Sequence, residues 1–254
     1  MLDGNVARCL LTKGVKIMYL INLKTNEAVQ LSYDSYGCGE NPREWDNLAT
    51  LWLFDDGSNS DDGKHPQNME DSLIQLLGEN DYAQLINPSS HRFENFRDAF
   101  YQLGYKHGYL LQPVTRFKHT QVQYYRGTDA GFDYAICGMI FVSLKDIRQE
   151  YHVSRITKAV RCHVLEVFDD ELKLFTNYAN GEVYSIDYYA DASNLELTDS
   201  VSGIYLSDNE FPDDPQVIFR YAEDYFDISD KDSWVPAKTL NKVFLEPDIA
   251  TVKN

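Results

Sequence analysis

The chain has 254 residues, 43% apolar and 13% aromatic, which is enough to bury one sizeable core or two small ones and excludes a disordered chain. Its formal charge of −17 excludes general nucleic-acid binding, because neutralising phosphates requires a surplus of Lys and Arg. No apolar run approaches a membrane span, and Arg8, Lys13 and Lys16 interrupt the N-terminal apolar residues where a signal peptide would keep them continuous; a soluble, unexported, cytoplasmic protein with no membrane partner is expected.

In chain order, the apolar runs Ile17 to Leu23 and Ala28 to Tyr33 flank Lys24-Thr25-Asn26-Glu27, a hairpin signature. Asn41-Pro42-Arg43-Glu44-Trp45-Asp46-Asn47-Leu48 then packs an opposed charge pair, a tryptophan and short amides into one connector. Here Trp45 is expected to plug the core and anchor the next strand, Arg43 to pair with Glu44 at the surface, and Asp46-Asn47 to turn the backbone. Thr50 to Phe54 reads as a strand buried on both faces. Asp55 to Gly63 gathers carboxylates, amides and glycines. Such a loop has the oxygen ligands of a Ca²⁺ cage but lacks the spacing and closing glutamate of an EF-hand, so it reads first as a solvated loop.

Helical periodicity predicts helices over Glu70 to Leu77 and Phe93 to Leu103, the second closed by Gly104. Tyr109 to Thr115, Val122 to Arg126 and Gly138 to Val142 read as strands. Ser143 is expected to cap a helix to Tyr151, and Ser154 a longer one whose stripe Ile156, Val160, Val164, Val167 and Phe168 packs in the core. Asp169-Asp170-Glu171 suits a helix start better than a helix end, so a break near Asp169 and a short second helix to Tyr178 are expected. Asn180-Gly181 turns the chain into a strand from Glu182 to Tyr189, followed by hairpin strands at Leu195 to Thr198 and Gly203 to Leu206. A last helix is predicted at Gln216 to Tyr225. The pattern describes an α+β fold, a largely antiparallel sheet with helices packed mainly on one face. We expect a main domain over 1–206, with 1–16 loosely attached, and an acidic C-terminal extension over 207–254.

Charge is unevenly spread: Lys106 to Arg161 holds nine Lys/Arg against four Asp/Glu, between acidic flanks. The readings are solvated surface, a basic face for an anionic ligand, or acidic flanks that imitate nucleic-acid phosphate. Cys9, Cys38, Cys137 and Cys162 have neither zinc nor disulfide spacing and fit reduced structural thiols. No glycine-rich phosphate loop, nucleophile elbow or HxxxH pair occurs, and the sequence names no cofactor. Glu44, Asp46 and His119 are side chains of the kind that hold a divalent ion or shuttle protons.

The Asn41 to Leu48 run resembles the "SPREWDNLG" signature of a family of largely uncharacterised proteins carried by phages, prophages and plasmids. Lys64-His65 matches that family's following basic-plus-His segment. Pro113 to Gln121 resembles its proline-led strand, with His119 at the family's histidine, and Asp133 matches the aspartate before its "GFIYVS" strand, which Gly138 to Ser143 resembles. Arg155 to Lys158, Asn180 to Tyr184, and Asp199-Ser200 with Gly203 and Tyr205 are similar to later segments. Lys118, Thr120 and Gln121 beside His119, and Phe132, Tyr134 and Ala135 beside Asp133, depart from the pattern. The resemblance runs from about Leu31 to Tyr205 and implies a mobile-element accessory protein, with Arg43, Glu44, Asp46, His119 and Asp133 as the candidate motif site; the departures favour a structural role for that site.

The expected function is binding to a host or element-encoded protein, such as a defence nuclease. The acidic set Asp208, Glu210, Asp213, Asp214, Glu223, Asp224, Asp227, Asp230 and Asp232 is the candidate partner face. The alternatives are a metal-dependent hydrolase centred on Asp46 and His119, and a homo-oligomer assembling through Tyr184, Tyr188 and Tyr189.

Overall fold

A computed structural model describes residues 18–34, 41–54, 61, 69–86, 96–129, 131–193, 196–207 and 209–237. The segment 1–17, Cys9, Cys38, the oxygen-rich loop apart from Asp61, Lys64-His65, His91, Asp208 and everything past Ala237 lie outside them. The described strands are β1 (Tyr19–Asn22), β2 (Ala28–Tyr33), β3 (Thr50–Leu53), β4 (Tyr109–Lys118), β5 (Val122–Arg126), β6 (Tyr134–Ser143), β7 (Tyr184–Tyr189), β8 (Asp199–Ile204) and β9 (Trp234–Ala237). The helices are α1 (Met69–Leu77), α2 (Glu79–Ile86), α3 (Phe96–Lys106), α4 (Leu144–Glu150), α5 (Lys158–Ala179) and α6 (Pro215–Phe226). The fold is α+β, and all strand pairs in its two sheets are antiparallel. No described helix is long and apolar enough to cross a membrane.

The chain divides into two compact units, Met1–Glu40 with Gly181–Asn254, and Asn41–Asn180. This corrects the expected division at 206. The segment beyond 206 is no appendage, because β9 pairs with β1 from Tyr19↔Ala237 to Asn22↔Trp234. Pro236 fits there because β9 is an edge strand, where a missing N–H costs no ladder bond.

In the first unit the sheet order is β8-β7-β2-β1-β9. The β1–β2 hairpin is closed by Asn22, whose side-chain oxygen accepts from Lys24 N at 2.9 Å, and by Asn26 at φ 63°. Leu20, Val29, Leu31, Ile186 and Ile204 gather on one face against Val217, Ile218 and Ala222 of α6. Tyr184 joins that core, and Tyr188 is half-buried with its hydroxyl donating to Glu27. The hairpin strand expected at Leu195 to Thr198 starts later, at Asp199, and runs through Gly203 at φ 78°.

In the second unit the order is β3-β6-β4-β5, and here helices cover both faces. Val164, Phe168, Leu172 and Phe175 of α5, with Leu144 and Ile147 of α4, pack on Leu51, Leu53, Leu110, Val114, Ile140 and Val142. On the opposite face, Leu73, Leu77, Leu85, Phe100 and Leu103 from α1, α2 and α3 pack on Trp52, Leu111, Met139 and Phe141. The arrangement with helices on one side therefore describes the first unit only. Continuous apolar runs in β3 and β6, rather than alternation, are the sequence trace of this double burial.

Helix α5 is unbroken from Lys158 to Ala179, against the expected interruption at Asp169. Its inward positions continue past the acidic triplet through Glu171, Leu172 and Phe175, while Asp169 bonds Arg126 at 2.6 Å. Its N-cap is Thr157 rather than Ser154, and Ser143 caps α4 as expected. Gly104 lies inside α3 rather than closing it. A Cβ there would fall 2.6 Å from Leu111 Cβ, so glycine lets α3 approach β4. Gly138 is tighter still, because a Cβ would sit 2.2 Å from the backbone oxygen of Trp52 in the paired strand. We expect Gly138→Ala to lower unfolding free energy by about 2–4 kcal/mol, since backbone on both sides must move. A denaturation midpoint equal to wild type would refute that packing.

Candidate functional site

The motif loop is built around one inward-pointing guanidinium. Pro42 opens a 3-10 turn over Pro42–Glu44, the Asn41 side chain accepts from Arg43 N at 3.0 Å, and the Asn47 amide donates to Pro42 O at 2.8 Å and Trp45 O at 3.0 Å. Successive side chains in such a turn diverge by about 120°. Pro42 and Arg43 are its buried residues, the Arg43 side chain 2% exposed; Glu44 and Asp46 face solvent, and Trp45 is 41% exposed. The expected tryptophan plug and surface Arg43–Glu44 pair are thus both corrected.

Arg43 binds two carboxylates and a carbonyl. Its Nε and NH2 donate to the two oxygens of Asp61 at 2.9 and 2.6 Å, its NH1 to Glu171 Oε2 at 2.7 Å, and its NH2 also to Ala49 O at 2.7 Å. The carboxylates in turn hold backbone. Glu171 Oε1 accepts from Leu48 N and Ala49 N at 3.0 and 3.2 Å, and Asp61 accepts from Leu51 N at 2.7 Å while its own N donates to Leu51 O at 3.0 Å. Asp61 thereby acts as a one-residue strand on the outer edge of β3. Burial pulls the Arg43 pKa down, but the hydrogen bonds and charges of Asp61 and Glu171 outweigh it and leave the pKa raised.

The other motif residues lie elsewhere. Thr50, into which the motif runs, pairs with Phe141 near the C-terminal end of β6, whereas Asp133 precedes β6 and accepts through its backbone oxygen from Lys118 N at 2.9 Å. His119 stands exposed in the adjoining β4–β5 turn, its Nδ1 3.1 Å from Thr120 Oγ1. At about 3.3 Å per residue the two ends of β6 are roughly 25 Å apart, so the motif residues fall into two places. Among the described residues no three His, Cys, Asp or Glu side chains are grouped to hold a metal ion.

The acidic set divides by task. Asp214 caps α6 through Gln216 N at 2.8 Å. Asp230 accepts from Lys24 Nζ and Ser233 Oγ, both at 2.6 Å, and the Lys24 bond leads in holding its carboxyl below the usual range. Glu210 is 13% exposed; burial pushes its pKa up, yet the donors Ser207 N, Arg220 and Tyr221 outweigh burial and leave it lowered. Asp213, Glu223, Asp224, Asp227 and Asp232 are exposed, and the helical spacing of Gln216, Arg220, Glu223, Asp224 and Asp227 places them along the solvent side of α6. An open groove of about 550 Å³ beside this helix is lined by Gln216, Arg220, Glu223, Asp230 and Lys231 among others.

Sequence reasoning missed Asp61, Glu171 and Asp81 as structural carboxylates. Glu171 left a signal, an acid on the inward arc between Phe168 and Leu172; Asp61 left none. Asp81, 6% exposed, accepts from Lys106 Nζ at 2.7 and 2.9 Å and contacts His107 Nε2, tying α2 to the end of α3.

Two expectations follow from these clusters. Arg43→Met strands Asp61 and Glu171 in a dry site and should cost about 3–5 kcal/mol. Arg43→Lys should recover only part of that stability because an ammonium cannot make the bidentate fork, and full recovery in urea melts would contradict the assigned geometry. The Lys106 hydrogen bond, then that of His107, holds the Asp81 pKa below its ordinary 3.8. Its stabilisation is therefore complete above the unfolded-state pKa and lost as pH falls through the lower folded value. The stability gap between wild type and Asp81→Asn should accordingly be constant near neutrality and narrow below about pH 4; a gap that widens on acidification would be the wrong sign.

Scans against protein-family models, characterised proteins and solved structures return no match to this chain.

Proposed function

We propose that this chain acts by binding, as a phage- or plasmid-borne accessory protein that blocks a host defence nuclease in the bacterial cytoplasm. The observation that carries this reading is the division of labour among carboxylates. Where a carboxylate has a structural task it is paired or caps a helix, as in Asp61, Asp81, Glu171, Glu210, Asp214 and Asp230. Glu223 and Asp224 on α6, Asp213 just before it, and Asp227 and Asp232 after it are instead left at the surface. The cation on that helix face, Arg220, is already neutralised by Glu210, so the face stays negative. Carboxylates held on a helix and the segments flanking it can occupy a cationic nucleic-acid channel and compete with phosphate for it. The free thiols Cys137 and Cys162 fit a reducing compartment, and the resemblance of the Asn41 to Leu48 run to mobile-element proteins supports the setting.

The test is purification of the tagged chain from its bacterial host, followed by competition with duplex DNA. A nucleic-acid-cleaving protein should be retained and displaced by DNA. The triple variant Asp213→Lys, Glu223→Lys, Asp224→Lys should bind it at least about tenfold more weakly with an unchanged melting temperature, because charge-pair contacts between partners are worth a kcal/mol or more each. Inhibition indifferent to charge reversal at matched stability would sink the reading.

A further inference from the structure

The open groove of about 550 Å³ in the first unit lies between α6 and the turn that follows it. Gln216, Arg220 and Glu223 make one wall, at the i, i+4 and i+7 positions of a single helix row, and Ser229, Asp230 and Lys231 make the other. Val217 and the Phe219 ring, 8% and 6% exposed, give it an apolar floor. The turn is fixed from within the chain, since Ser229 O accepts from Trp234 Nε1 at 3.1 Å and Asp230 O accepts from Ser233 N at 2.9 Å. A groove set in advance costs little ordering when a ligand enters.

Most of the charge lining this groove is engaged. Arg220 pairs with Glu210, Asp214 caps α6, and Asp230 holds Lys24 and Ser233. Two charges are left, Glu223 on one wall and Lys231 on the other, and neither forms an ion pair with the other or with any other described residue. Lys231 Nζ stands instead 5.7 Å from the centre of the Phe219 ring, and Glu223 is one helical turn beyond Phe219. A carboxylate and an ammonium on facing walls, over one apolar floor, complement a small molecule that carries both signs.

We propose that the groove binds a zwitterionic α-amino acid with an apolar side chain. Its ammonium donates to the Glu223 carboxylate, its carboxylate accepts from Lys231 Nζ, and its side chain lies on Val217 and Phe219. The i, i+4 spacing of Phe219 and Glu223 is about 6 Å, a gap that one amino acid bridges with a hydrogen bond at each end. The groove volume falls in the range of small-molecule sites. Such a ligand has no net charge, so the −17 of the chain does not repel it.

An NMR titration of the purified chain tests this with leucine as the probe, beside N-acetyl-leucine, which lacks the ammonium, and leucinamide, which lacks the carboxylate. Contacts to exposed charges are individually weak, so leucine should bind with a dissociation constant of about 1 mM and shift the amide signals of Glu223, Ser229 and Lys231. Each blocked analogue should bind at least about tenfold more weakly, because it leaves one charge without its hydrogen bond. Lys231→Met should bind leucine and leucinamide alike, and Glu223→Gln should bind leucine and N-acetyl-leucine alike, both with wild-type melting temperatures. Leucine shifts that fail to saturate or that fall elsewhere, or blocked analogues that bind as well as leucine, overturn the proposal. The inference is independent of the nuclease reading, because the titration needs no partner and Lys231→Met leaves every carboxylate of the acidic face in place.

Discussion

A buried guanidinium between two carboxylates holds the second unit in register. Arg43 is almost wholly removed from water, a placement tolerable only because four donor contacts, to Asp61, Glu171 and Ala49 O, replace its hydration. Its partners do more than neutralise it. Glu171 satisfies the N–H groups of Leu48 and Ala49, and Asp61 satisfies both backbone groups of Leu51. One charge cluster therefore terminates the exposed edge of β3 and fixes the centre of α5 against it.

The opposite edge of the same sheet is closed by related means. Val122 N donates to Asn180 Oδ1 at 2.9 Å and Val122 O accepts from Asn180 Nδ2 at 2.7 Å, while Tyr124 N donates to Thr176 Oγ1 at 3.0 Å. Polar side chains at the C-terminal end of α5 thus imitate a neighbouring strand for β5, as Asp61 does for β3. An open edge is a template for pairing with other chains, and side chains occupy part of both edges of this sheet.

The motif that resembles a mobile-element signature is best understood as architecture. Its one buried charge is a structural ion, its tryptophan is 41% exposed, and the histidine and aspartate that accompany it in sequence lie at the other end of the sheet. A motif can persist in a fold because a buried charge has few substitutes. Replacing Arg43 alone strands two acids, and replacing either acid strands Arg43.

Sequence by itself determined what depends on local period and local capping. The β1–β2 hairpin, the doubly buried β3, the β6 strand, the Ser143 cap and the helical periodicity of α1 and of the first half of α5 were legible because each is written in neighbours a few residues apart. The α+β class and the antiparallel pairing followed from their order. The Asp169-Asp170-Glu171 triplet suggested a break near Asp169 because charges in a helix look like a terminus until their partners are known, and Arg43, the partner of Glu171, lies 128 residues away. The inward turn of Arg43, the separation of His119 from the motif, and the pairing of β9 with β1 are long-range choices with no local signature. Only the tertiary structure decided them, because the free energy that selects a buried ion pair or a strand partner exists only once distant segments have excluded water together.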